Sequence, residues 1–322
     1  MTTTDIPSGS PPGSGEAISA HTSKLGDRIF GGLSLGAGLL ILVTLAAVGV
    51  FLLGEGWSAF TAPSSDFSDD QGVFDYVGPL LFGTIWAAIL ALIIAVPLAV
   101  AVALFISHYA PKKLAMTLGY FIDLLAAIPS VVFGLWGIFV LAPILSRSLY
   151  PWLEDNLGFI PLFAGPASTS GRTMMTAAVV LAVMILPIIT AISREVFLQT
   201  PRLHEEASLA LGATKWEMIR QAVIPYGRSG VISGAMLGLG RALGETMAVA
   251  MILSPADIIT VNVISNQNPN TIAANIALKF PESAGIDVNR LIATGLVLFA
   301  LTFLVNAVAR RIANAGFSGA AG

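Results

Sequence analysis

The 322-residue sequence has no cysteine, which excludes disulfides, thiolate catalysis and cysteine-type metal sites. Charge is scarce as well. Asp, Glu, Lys and Arg together make up 11% of the chain, against roughly 25% in an ordinary soluble domain. Histidine occurs three times, at His21, His108 and His204, always outside the long apolar runs. A hydrolase working inside a bilayer needs a nucleophile and a base at depth. Asp123 has no second aspartate there, so no catalytic residue and no metal site are expected. The G-x-x-x-x-G-K-[ST] loop that would cradle nucleotide phosphates is also missing. Any ATP-driven work must therefore draw on another chain, and this one is expected to bind no cofactor. No nucleic-acid partner is expected either.

What the chain has is apolar length. Hydrophobic residues make up 55% of it and its mean hydropathy is +0.83, the composition of an all-α, multi-pass membrane protein. Six apolar runs, at about 29–53, 78–106, 114–145, 174–192, 230–253 and 289–309, approach or exceed the ~20 residues that cross a bilayer core. The third is overlong and is expected to tilt or to end in an interfacial turn. Pro97, Pro129 and Pro187 fall inside runs, where each removes a backbone donor and can kink its helix. Residues 1–28, rich in Ser, Thr, Gly and Pro, read as a flexible tail. That lead-in is too long for a secretory signal, and the run behind it is long enough to span. The organisation expected is a tail over 1–28, a six-helix membrane domain over 29–309 with its core at 78–309, and a second tail over 310–322.

Lys and Arg orient the runs. With the N-terminus inside, the inner segments hold Lys24, Arg28, Lys112, Lys113, Arg194, Arg202, Lys215, Arg220, Arg228, Arg310 and Arg311. The outer segments hold Arg147, Arg172, Lys279 and Arg290. This bias places both termini in the cytoplasm of a cell-membrane protein. The first outer loop is acidic, with Glu55, Asp66, Asp69, Asp70 and Asp75. It is either a solvated loop or a contact for an extracytoplasmic partner.

The inner segment 193–229 is polar and interleaves four glutamates with five basic residues. Pro201 can open a short helix that Gly212 closes, and Lys215–Val223 can form a second, stopped by Pro225. Trp216, Ile219 and Val223 give that second helix one apolar face. Two short helices meeting at a glycine make an elbow suited to docking a cytoplasmic partner. The string Glu206-Ala207-Ser208, Gly212 six residues after the Glu, and Pro225 thirteen after the Gly resembles the EAA loop of ABC-importer permeases. Ser208, Ala222 and Ile224 depart from that pattern by small or apolar exchanges. The stretches Ala126–Leu135 and Gly238–Val249 resemble a narrower branch, the phosphate-importer permeases of the PstC and PstA type. The long N-terminal tail and first outer loop favour the PstC type.

The resemblance, over about 78–309, implies a type I importer permease fold of the MetI-like kind. It implies a PstA-like permease subunit as partner, two copies of a PstB-like ATPase that use ATP and Mg, and a PstS-like phosphate-binding protein outside. Glu206, Ala207, Gly212 and Pro225 would then form the ATPase-coupling element. A PstA-type subunit, or a permease for sulfate or molybdate, remains an alternative. A channel without an ATPase would have no need of the elbow.

The fifth run carries charge at depth. Gly230, Gly234 and Gly238 repeat every four residues, the spacing that lets membrane helices approach closely. Arg241 and Glu245 continue that stripe, so neither is expected to face lipid. Counted from the inner ends at ~1.5 Å per residue, Asp123 and Arg241 reach similar depths and could meet. Two readings stand. The three charges form a buried ion network that holds helices in register, or Arg241 attracts a permeating anion, phosphate above all, with its planar fork of donors.

Overall fold

The structure, a computed structural model, describes residues 24–315. Apart from one isolated bridge between Pro255 and Asn268, the regular structure among them is helical. The expected tails at 1–28 and 310–322 lie largely outside the described residues. Helix already occupies Lys24 onward and continues to Ala315.

The chain forms two units, one ending at Val48 and the other beginning at Gly49. Helix α1, Lys24–Thr61, starts in the first. There its apolar side chains are exposed on every side, Phe30 and Leu40 among them. A helix apolar all round is one that sits in lipid or is covered by other protein.

In the second unit the centre is α5, Met174–Leu198, packed between α2, Val73–Leu104, and α8, Ile224–Leu243. α2 presents a row of alanines, Ala87, Ala88, Ala91, Ala95, Ala99 and Ala103, each at most 2% exposed. Their steps of three and four keep them on one side of the helix, so α5 comes close. α8 meets α5 through glycines. A Cβ at Gly227 would overlap Phe197, one at Gly230 would overlap Val196, and one at Gly238 would press on Ile189 at 3.0 Å. Pro97 and Pro187 sit within α2 and α5, and both helices continue through them.

Five helices among the described residues are long and apolar enough to cross a membrane, where six runs were expected. Two runs differ. The third is not one helix: α3, Lys112–Ala126, stops, and α4, Ser130–Leu157, starts afresh. Pro129 is the cause, because it disfavours helix at Ile128 and serves as the N-cap of α4. α4 then runs past the expected end at 145 through two π turns, Gly137–Leu141 and Leu145–Leu149. The fifth run also breaks. α8 ends at Leu243, residues 244–246 unwind, and α9, Met247–Ile252, follows. Glycines, Arg228 and Arg241 keep α8 less apolar than the five spans.

The elbow consists of α6, Arg202–Ala210, and α7, Lys215–Met218. Pro225 does not stop the second piece. α7 passes through a π turn, Ile219–Val223, straight into α8, where Pro225 occupies the first turn. The proline's missing N–H removes one bond to the turn before it, and the π turn lies directly ahead of that gap. The expected apolar face divides as well: Ile219 and Val223 are buried with Met218, Phe197 and Leu104, whereas Trp216 is 55% exposed.

The last two helices are α10, Ile272–Lys279, and α11, Ile286–Ala315. α11 holds the acidic loop between α1 and α2 through Arg290, which is 4% exposed. Its guanidinium donates to Asp69 Oδ1 at 2.6 Å and Oδ2 at 3.0 Å and lies between the rings of Phe67 and Tyr76. Burial pushes the Asp69 carboxyl up, but the bonds from Arg290 and the Gln71 N–H, with the nearby positive charge, hold it below its ordinary value. Of the acidic residues in that loop, Asp69 thus turns to an internal partner.

Candidate functional site: a two-break pathway and its coupling elbow

The two helix breaks face one another. Gly134, in the first turns of α4, lies against Ala248 of α9, where a Cβ would come within 2.9 Å of the Ala248 Cα. Broken helices at depth leave backbone groups without helical partners, and these are tolerated where they are buried in protein or line a wet cavity. Membrane transporters place substrate sites at such discontinuities.

Arg241 comes from the last turn of α8 and is half-buried. Its Nη1 donates to the carbonyl of Ala126, the last residue of α3, at 3.5 Å. That is a long hydrogen bond to the negative end of a helix. Glu245 is 7% exposed. It lies in the unwound segment, where its Oε1 accepts from the N–H of Ala248 at 3.1 Å and so closes the start of α9. Its other oxygen has no partner among the described residues. Four residues separate Arg241 and Glu245, but the helix ends between them, so the intrahelical pair does not form.

The expected meeting of Asp123 with Arg241 is also absent. Among the described residues the ion pairs are His108–Glu205, Arg290–Asp69 and Arg290–Asp287. None includes Arg241, Glu245 or Asp123. Asp123 is instead exposed and lines an open groove of about 190 Å³ with Met116, Gly119, Tyr120 and Arg194. Depth along each helix was readable, but the direction in which each side chain leaves its helix was not.

The elbow is built by local chemistry. α6 closes in a Schellman motif: Gly212 N–H bonds to the Leu209 carbonyl at 3.0 Å and Ala213 N–H to that of Ser208 at 3.2 Å. This needs a left-handed residue after the helix, and Gly212 supplies it with φ +87°. Thr214 and Glu217 then form a reciprocal cap at the start of α7. The hydrogen bonds from the Thr214 N–H and hydroxyl hold the Glu217 carboxyl below its usual range. Glu206, Ala207 and Pro225 are exposed on this elbow, as are Leu203, Leu211 and Trp216. The elbow's anchors were not read from the sequence. His108, in the π turn after α2, lies 3.5 Å from Glu205. Lys215 sits over the Tyr109 ring at 4.8 Å. Aromatic and histidine residues beside the Lys112–Lys113 pair were the available signal.

Residues 95–315 match the family described as binding-protein-dependent transport system inner membrane component. The chain is 45% identical over 315 residues to the phosphate transport system permease protein PstC 2 of Mycobacterium tuberculosis, covering 94% of this chain and 96% of that one. It is 39% identical over 296 residues to the phosphate transport system permease protein PstC of Mesorhizobium japonicum, covering 89% of each. A chain of the MetNI methionine ABC transporter in inward-facing form is similar at a TM-score of 0.47 and 18% identity, over 74% of this chain and 94% of that one. That score is too low to bear on the fold. The relatives decide the family: the chain belongs to the PstC-type phosphate permeases, among the inner membrane components of binding-protein-dependent transport systems.

Proposed function

We propose that the chain forms half of the membrane pathway of an ATP-driven phosphate importer, in the six-span MetI-like arrangement with both termini in the cytoplasm. α8, which carries Gly230, Gly234 and Gly238 on α5, would be the crossing that adds to the five apolar helices. A PstA-like subunit supplies the other half. A PstB-like ATPase dimer holds ATP and Mg, and a PstS-like binding protein delivers phosphate from outside.

One observation carries this reading. Arg241 stands at the junction of two broken helices with no carboxylate paired to it among the described residues. An arginine at the centre of a membrane helix costs about 2.5–3.5 kcal/mol on insertion scales, so an unpaired one there calls for a ligand. Its fork of donors suits a tetrahedral oxyanion. The free oxygen of Glu245 suits the proton that phosphate keeps near neutral pH and sulfate does not. Glu206, Ala207, Gly212 and Pro225 belong to the elbow that takes up the motion of the ATPase, and Gly230, Gly234 and Gly238 hold the pathway helix against α5.

Co-purification with the neighbouring gene products, followed by binding-protein-dependent phosphate uptake in vesicles, tests the proposal. Uptake that needs ATP inside and the binding protein outside is the expected result. A complex that assembles and moves no phosphate would count against it.

A further inference from the structure

α3 carries Gly119, Asp123 and Ala126 in steps of four and three, on one side of the helix. Arginines from two other helices reach this side. Arg241 of α8 touches the carbonyl of Ala126. Arg194 of α5 lies on Gly119, so close that a Cβ there would collide with its Nη1. The two contact points are seven residues apart, roughly 10 Å along the axis, and Asp123 lies between them.

Arg194 is the less satisfied of the two arginines. Among the described residues it makes no hydrogen bond or ion pair, and its Nε is buried without a partner. A buried donor left so is costly, more so when the group is charged. The open groove it shares with exposed Asp123 measures about 190 Å³, against about 10–15 Å³ for one water on the same measure. It therefore has room for a five-atom oxyanion. The lining selects the protonation state. Asp123 repels a fully ionised anion but accepts a hydrogen bond from a P–OH, while Arg194 donates to the ionised oxygens. Arg194 is also four residues from the end of α5 at Leu198, which leads into the elbow.

From this placement we infer that Arg194 and Asp123 form a second station for partly protonated phosphate, following Arg241 on the side of the coupling elbow. The inference rests on the import reading above. α3 acts as a rail along which the anion passes from one guanidinium to the next.

The test uses the assembled transporter in proteoliposomes, with labelled inorganic phosphate as the probe. Arg194→Gln should lower uptake about tenfold or more at an unchanged amount of complex. Arg194→Lys, which keeps the charge, should restore part of it. Gly119→Ala should displace the native guanidinium and lower uptake too. A wild-type complex that moves no phosphate sinks the import reading itself. Wild-type uptake matched by Arg194→Gln overturns the second station alone. Equal losses in the Gln and Lys variants, in step with lost assembly, make Arg194 a packing residue and overturn it as well. So does a lipid outcome, in which Arg194→Gln loses a co-purified anionic phospholipid and wild-type uptake fails in vesicles of phosphatidylcholine alone. The oxyanion at the site would then be a headgroup.

Discussion

Arg241 and Glu245 divide their work through the break that separates them. Arg241 ends α8 and donates across to α3, whereas Glu245 begins the next turn and accepts from Ala248. Glu245→Gln keeps an acceptor oxygen for Ala248 and removes only the charge. In a leak variant that needs no binding protein, it should retain some phosphate flux and admit more sulfate, since the site no longer depends on a P–OH donor. Arg241→Gln should nearly abolish phosphate uptake in an assembled complex. If the two variants merely lose protein together and keep selectivity, the residues are structural. Both were legible in the sequence because charge is rare in the apolar runs. Arg194 was not. It stood among the other inner charges, and nothing in its neighbourhood shows that its side chain turns toward Gly119.

At the level of elements, the elbow was legible where local chemistry decides the backbone. Pro201 opens α6 and Gly212 closes it, because each residue type permits few alternatives. No neighbour within 4 Å crowds Gly212, so its requirement is conformational. A non-glycine residue held left-handed costs about 1–2 kcal/mol, and a β-branched one resists further. Gly212→Val should therefore leave the protein inserted but raise the number of ATP molecules hydrolysed per phosphate imported. An unchanged ratio would remove the elbow from the coupling path. The two breaks at depth were illegible for a related reason. Residues 127–129 continue an apolar run, the three residues 244–246 interrupt one too briefly to end it, and hydropathy carries no record of φ and ψ. Pro129 was the one visible clue, yet Pro97 and Pro187 look the same in sequence and leave their helices whole.

For the molecule as a whole, the Lys and Arg bias predicts which side each connection faces. On that bias Ser208 in the elbow and exposed Ser68 in the loop after α1 should face opposite sides. Single cysteines placed there, in a chain that has none, should react with a membrane-impermeant thiol reagent from opposite faces. Same-side labelling would end the topology. The Asp69–Arg290 bond ties that loop to α11 and makes acid stability depend on the loop. Because the folded carboxyl of Asp69 lies below its ordinary value of 3.8, its stabilising effect is present above that value. It fades as pH falls through the lower, folded value. Melting of the detergent-solubilised protein should drop more steeply below about pH 4 for the native chain than for Asp69→Asn. Equal slopes would leave the bond without a part in acid stability.

The alanine row of α2 has a thermal consequence. A methyl group has no rotamers to freeze, so closing α2 onto α5 costs almost no side-chain entropy, whereas a row of leucines would lose about 0.5–1 kcal/mol each. The same fact means that warming releases side-chain freedom only on the α5 side of this seam, from residues such as Met184, Ile185 and Ile189. Bending in the pathway is left to the places where the backbone ladder is already interrupted, at Pro129 and at Gly244.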